Sequence, residues 1–379
     1  MLCLLLALVA TAAALASQSD TITVPHLSGI FVALDNVTSA RTVSGWTEDL
    51  AAMKAIGIKF LVLRAVAQGC SPPQCAPISP ACPLGGFRAA FPTKGAGRPA
   101  CFVEEHVGID TVENVFAAAE AVGLGVHLGL AYPVTSSIAK TGLNSTAYFR
   151  YLASVNWDLA HELWTRYVVE RGHTIAGFYT DVEESNSIGE LALMNDLVGH
   201  YLEPVARDMK VSLSPDILVW ASPYYVGNLT RHPAASWMGP RFYADWWGQV
   251  FAEASHLDLI APQDSMGAQG NSFQNVTDFL SQLALESRVQ SRAVWSNVEL
   301  FEVWPQNCQW SNVTGICRGR HPAPWSRIKE QMANEAKHVD AMIAWEWHSC
   351  LSPFGSNPNW TKPLYDQYLA YINAGTRQR

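Results

Sequence analysis

The sequence predicts an α/β protein folded as a (β/α)8 TIM barrel with long, disulfide-stapled insertions in its strand-to-helix loops. Three observations carry that reading. Eight short runs rich in Val, Ile, Leu and aromatics recur along the 379 residues, and each is followed by a segment with helical apolar spacing. The seven steps from the first run at residue 29 to the last at 342 average about 45 residues, the length of one strand, one helix and their loops in a decorated barrel.

In order, the runs are GIFVAL (29–34), IKFLVLRAV (58–66), LGVHLGLAY (124–132), IAGFYTDVE (175–183), ILVWASPYY (217–225), LDLIAPQDS (257–265), AVWSNVELF (293–301) and MIAWEWHS (342–349). Between the first two, SGWTEDLAAMKAIG (44–57) opens on a serine, brings Trp46, Leu50 and Met53 onto one face and stops at Gly57, which predicts a helix. DTVENVFAAAEAVG (110–123) repeats the design: Asp110 or Thr111 caps, Glu113 sits in the first turn and Gly123 terminates. Alternating strand and helix means a parallel sheet, closed or doubly wound. The doubly wound alternative wants a glycine-rich turn after an early strand, and neither G-x-G-x-x-G nor a P-loop stands there. Two long irregular stretches, about 67–110 and 303–323, each fall between a strand and its helix, on the face where barrels build their sites. The expected organisation is a signal peptide over 1–16 and one catalytic barrel domain over 17–379.

The opening MLCLLLALVATAAALAS is short and alanine-rich for a membrane span, and Ala14-Leu15-Ala16 offers a small-x-small cleavage site before Ser17. Six N-x-S/T sequons, at Asn36, Asn144, Asn228, Asn275, Asn312 and Asn359, suit the same secretory route. With Cys3 removed, seven cysteines remain: Cys70, Cys75, Cys82 and Cys101 in one insertion, Cys308 and Cys317 in the other, and Cys350. In an oxidising compartment this spacing predicts a Cys308–Cys317 disulfide and at least one more within the Cys70 to Cys101 cluster. Zinc is disfavoured, because neither cluster holds a short Cys-x-x-Cys pair. A net charge of −8 without a basic run argues against nucleic acid. A secreted or extracellular monomer is expected, with no cofactor, no metal and no membrane attachment beyond the signal.

The strand ends are where chemistry is expected. The fourth run ends in Asp181 and Glu183, the sixth in Gln263 and Asp264, the seventh in Asn297 and Glu299, and the eighth in Glu346 and His348. Pleating puts residues two apart on one side, so Tyr179, Asp181 and Glu183 face together while Glu184 turns toward the helix layer or solvent. Two carboxyl groups from different strands, set across a sugar ring, are the usual equipment for cleaving a glycosidic bond: one protonates the leaving oxygen and the other attacks or activates water. Glu183 and Glu299 are the expected catalytic pair, as acid/base and nucleophile respectively, on the strands that retaining barrel glycosidases of the largest clan use. Tyr179, Asp181, Tyr224, Asp264, Asn297, Trp345, Glu346 and His348 are expected to bind or orient substrate. Fourteen tryptophans suit the apolar faces of sugars, although core packing accounts for most of them.

Competing chemistries lack their signatures. The first run carries no His for a metal-dependent hydrolase, no G-x-S-x-G elbow occurs, and the segments after runs seven and eight are not phosphate loops. Two alternatives stay open: a carbohydrate-binding barrel without turnover, and an inverting hydrolase that pairs Asp264 with one of the glutamates.

SGIFVAL, WTEDLAAMKAIGIKFLVLR, GFYTDVEESN, VWASPYY, DLIAPQDSMG and WSNVELFE, in that order and spacing, resemble an uncharacterised family of TIM-barrel proteins described as candidate glycosyl hydrolases. The likeness runs over roughly residues 27 to 350. It implies a TIM barrel and a sugar substrate, and the family's strand-four glutamate falls on Glu183. One departure concerns the largest glycosidase clan, which has Asn before that glutamate where this chain has Val182.

Overall fold

The computed structural model describes residues 24–34, 38, 40–70, 82, 86–92, 102–104, 108–132, 143–181, 183–191, 193–229, 236–303, 320–355 and 357–376. The expected signal peptide lies outside them. Eight parallel strands close into a barrel: β1 (Gly29–Ala33), β2 (Phe60–Arg64), β3 (Gly125–Gly129), β4 (Gly177–Thr180), β5 (Leu218–Ala221), β6 (Leu259–Ile260), β7 (Ala293–Glu299) and β8 (Ala341–Trp345). Each pairs with its neighbour in sequence, and β8 closes on β1 through Gly29–Ile343 and Ile30–Ala344. Every predicted run supplies one strand.

Each strand leads to a helix: α1 (Val43–Ala55), α2 (Thr111–Val122), α3 (Ser145–Leu163), α4 (Glu203–Ser212), α5 (Pro240–Glu253), α6 (Phe273–Val289), α7 (Trp325–Glu335) and α8 (Pro358–Thr376). α2 is capped by Asp110, whose Oδ1 accepts the Glu113 N–H at 3.0 Å, and ends at Gly123 in the left-handed region. α1 starts slightly earlier than the serine signal suggested, because Thr42 accepts the Gly45 N–H at 3.3 Å.

Pleating divides the core in two. Ile30 and Val32 of β1 pack outward with the helices, whereas Phe31 joins Val62, Tyr179, Trp220, Leu259, Ala261 and Ile343 inside the barrel. Aromatics fill that interior: Tyr179 lies 5.2 Å from Phe31 and 4.8 Å from Trp220 between ring centroids. His127 packs among them, accepting the Trp220 Nε1–H at 3.1 Å, and burial pushes its pKa down to about 3. Glycine at 177 is required there, because a Cβ would stand 2.5 Å from His127 Nδ1. The plug fills the barrel interior.

The stapled-loop expectation is corrected. Among the described residues no two cysteine sulfurs stand at disulfide distance, and Cys350 is a buried free thiol. The predicted Cys308–Cys317 pair lies outside the described residues, as do Cys75, Cys101 and the Cys70 side chain, and any partner of the buried Cys82 lies there too. Backbone pairing organises what is described of the two insertions. Ala67–Cys70, Gly86–Ala89, Phe102–Glu104 and Ala131–Tyr132 form a four-stranded sheet that continues the chain from the C-terminal ends of β2 and β3, with Phe87 stacked on Phe102 at 5.4 Å. Phe301–Val303 pairs antiparallel with Arg320–Pro322 at the second insertion.

Candidate active site

At the strand ends the barrel ladder continues as single bridges, Ser185 to Tyr224, Tyr224 to Gln263 and Gln263 to Asn297, which set these residues in a row across the mouth. Beside the row lies a cavity of about 320 Å³. Glu183 and Glu299 both line it, as do Tyr224, Gln263 and Trp345, so the two predicted catalytic acids share one site.

The two acids sit in different surroundings. Glu299 ends β7 and is only 2% exposed. Its Oε2 accepts the Ala268 N–H at 2.7 Å from the loop after β6, and Arg327 of α7 fixes the neighbouring backbone by donating to the Glu299 carbonyl at 2.6 Å and that of Phe301 at 3.0 Å. Burial raises the Glu299 pKa to about 8, with the nearby Asp264 charge adding to the rise; the Ala268 N–H and Arg320 and Arg327 pull against it. Glu183 lies past the end of β4 with its side chain 35% exposed, and its Oε1 stands 3.4 Å from Arg64 Nη2.

Arg64 holds the strand-four side together. Its charge centre stands 4.7 Å from the centroids of both Tyr132 and Trp345, and its Nε donates to Asp181 Oδ1 at 3.1 Å. Burial works against the Arg64 charge, but Asp181 and Glu183 outweigh it and raise its pKa. Asp181 is fully buried; burial raises its pKa to about 6 although Arg64 opposes the shift. Arg320 lies over Phe301 at 4.4 Å, and both line the cavity.

The other predicted site residues divide by depth. Tyr224 and Trp345 line the cavity with the two acids. Tyr179 is part of the interior plug. Asp264 is fully buried, and its Oδ2 accepts the Glu299 backbone N–H at 3.2 Å. Asn297 is buried and donates to Ser222 Oγ at 3.0 Å. Glu346 caps the turn after β8, accepting the His348 and Ser349 N–H groups at 3.1 and 2.8 Å. His348 Nε2 meets the buried Asp49 at 3.1 Å. Glu184, expected to face the helix layer or solvent, is buried.

Arg64, Tyr132, Phe301 and Arg320 are cavity residues that sequence reasoning did not select. Arg64 had a signal, since it is the charge near the end of an otherwise apolar run; Arg320 comes from an irregular insertion and had none. Among the described residues no group of three or more His, Cys, Asp or Glu side chains is arranged to hold a metal.

The family model for the domain of unknown function DUF4434 matches residues 27–358. The chain belongs to that family. No curated protein matches its sequence. Among solved structures, the DUF4434 barrel is similar to a proposed alpha-L-fucosidase from Bacteroides thetaiotaomicron VPI-5482, with TM-score 0.67 at 16% identity over 92% of this chain and 96% of that one. It is also similar to an endo-1,4-beta-mannanase from Rhizomucor miehei, with TM-score 0.53 at 10% identity over 93% of this chain and 95% of that one. At such identities the likeness of the DUF4434 chain to these proteins is one of fold.

Proposed function

We propose that this DUF4434 protein is a secreted glycoside hydrolase that uses Glu183 and Glu299 as its carboxyl pair. The observation that carries the reading is that two glutamates, one past the end of β4 and one at the end of β7, line one cavity in contrasting surroundings, one sealed and one open. A glycosidase needs one carboxyl that keeps its proton until the leaving oxygen departs and one that is ionised.

The surroundings of Glu299 favour assigning the two roles the other way round from strand position. Glu299 is the group whose surroundings hold a proton at neutral pH, which suits a general acid. Glu183, open to the cavity beside Arg64, is the carboxylate that attacks or activates water. Tyr224, Gln263 and Ser265 offer hydrogen-bonding groups on the wall, and Trp345 offers apolar surface for a sugar face. The inverting alternative through Asp264 is disfavoured, because that carboxyl is fully buried and bonded to Met266, Glu299 and Gln331.

A hydrolysis screen of the purified protein against oligosaccharides and aryl glycosides tests the reading. Turnover that disappears in Glu183→Gln and Glu299→Gln supports it. Sugar binding without turnover in the wild type, unaffected by either change, identifies a binding barrel instead.

A further inference from the structure

Beyond the cavity wall, between β7 and α7, lies a group of buried polar side chains that the proposed chemistry does not use directly. Asp264, Gln331 and Glu335 have no solvent exposure. Asp264 is well supplied with donors: Oδ1 accepts the Met266 N–H at 3.0 Å, and Oδ2 accepts both the Glu299 N–H at 3.2 Å and the Gln331 side-chain amide. Glu335 lies within hydrogen-bonding contact of Asp264. Its Oε2 accepts from the Ser296 hydroxyl, while its Oε1 receives no hydrogen bond.

Two carboxylates in contact inside a protein do not both ionise, so one proton belongs to the pair. Asp264 has three donors to stabilise a charge and Glu335 has a single hydroxyl, which places the proton on Glu335 and the charge on Asp264. An oxygen that carries that proton would accept nothing, as Oε1 does. The titratable and charged groups facing the pair are Glu299 from β7, Arg327 from α7 and the Tyr225 phenol beyond β5, with Arg320 acting on Glu299.

We propose that Asp264 and Glu335 form a one-proton carboxyl pair that positions Glu299 and keeps a fixed negative charge beside it. Asp264 holds the Glu299 backbone through its N–H, and its charge opposes a second charge on Glu299. Glu335, by donating to Asp264 and staying neutral, allows that charge to exist in a buried place. Both are positioning residues. Their effect on catalysis rests on the glycoside hydrolase reading; the shared proton does not.

The test has two arms on the full chain. In the first, carbon-13 carboxyl resonances are followed from acid to alkaline pH. One glutamate resonance, missing in Glu335→Gln, is expected to stay protonated through neutrality. Its titration in the ordinary carboxylate range would overturn the pair. In the second, the alkaline limb of kcat/KM is compared between variants. Asp264→Asn removes the charge that opposes ionisation of Glu299, so the limb moves to lower pH by about one unit. Glu335→Leu takes away the donor, leaves Asp264 to hold the proton, and moves the limb the same way; Glu335→Gln restores a neutral donor and recovers it. A folded Asp264→Asn protein with an unmoved limb contradicts the proposal. If no glycoside is turned over, the function reading fails at the screen and the resonance titration still decides the pair.

Discussion

Arg64 at the end of β2 and Asp181 just past β4 form an ion pair across the end of β3, with Nε 3.1 Å from Oδ1 and the Asp181 side chain fully buried. The second Asp181 oxygen is buried and receives no hydrogen bond. Arg64 is therefore what makes a charge tolerable at that depth. Arg64→Met should lower the free energy of unfolding in urea by about 1–2 kcal/mol at pH 7, because Asp181, whose pKa is already about 6, escapes a larger penalty by taking up a proton. At pH 5 the loss should be smaller, because Asp181 then carries a proton with Arg64 in place as well. Equal losses at both pH values would show that the pair is not the cause.

Glu299 links stability to pH. Its folded pKa of about 8 lies above the ordinary carboxylate value, so the native state binds the proton more tightly than the unfolded chain does. The stabilisation is complete below the unfolded pKa, near 4, and is lost as pH rises through about 8. The free energy of unfolding, from denaturant titrations at each pH, should fall across that window by on the order of a few kcal/mol. Glu299→Gln, neutral throughout, should remove the Glu299 share of that slope and leave the share of Asp181 and Glu335, whose folded pKa values are also raised.

Gly267 is where the loop after β6 closes on Glu299. A Cβ at this position would collide with the Phe301 carbonyl and stand 3.0 Å from Glu299 Oε2. Gly267→Ala should shift the Ala268 N–H off the carboxyl and reduce kcat/KM by roughly a hundredfold, with about 1–3 kcal/mol of lost stability. An unchanged kcat/KM would mean that this N–H does not position the acid.

The eight strands were legible because each is a short apolar run followed by a segment with helical apolar spacing, a pattern that needs no knowledge of tertiary contacts. Strand length was less so: the run 257–265 yields only Leu259–Ile260 of β6. Within the first insertion, proline, glycine and cysteine break the alternation that would have revealed the three strands it gives to the four-stranded sheet. Strand-end acids were readable as a class, but their depths were not. Asp264 looks like a cavity residue in sequence and is buried because the inner face of α7 meets it with Gln331 and Glu335. That face carried its own signal, since Ile328, Gln331, Met332 and Glu335 follow helical apolar spacing with two polar residues on the buried stripe.

Secretory passage, proposed from the N-terminal run and the sequons, has a site-resolved consequence. Asn359 and Asn144 are exposed, whereas Asn228 is half-buried and donates its side-chain amide to the Gly270 carbonyl at 2.7 Å. Peptide mapping of protein from a eukaryotic secretion host should find glycans on Asn359 and Asn144 and little on Asn228. Full-length protein retained in the cytosol and free of glycans would contradict the route.

The central claim is that Glu299 supplies the proton and Glu183 the carboxylate at one glycosidic bond, and leaving-group dependence tests it most directly. With a poor leaving group both Glu183→Gln and Glu299→Gln should lose roughly two to four orders of magnitude in turnover. With an activated aryl glycoside, departure needs no proton, so Glu299→Gln should recover much of its rate and Glu183→Gln should stay inactive. Recovery in Glu183→Gln with Glu299→Gln still inactive would contradict the assignment and return the two glutamates to the roles their strand positions suggested.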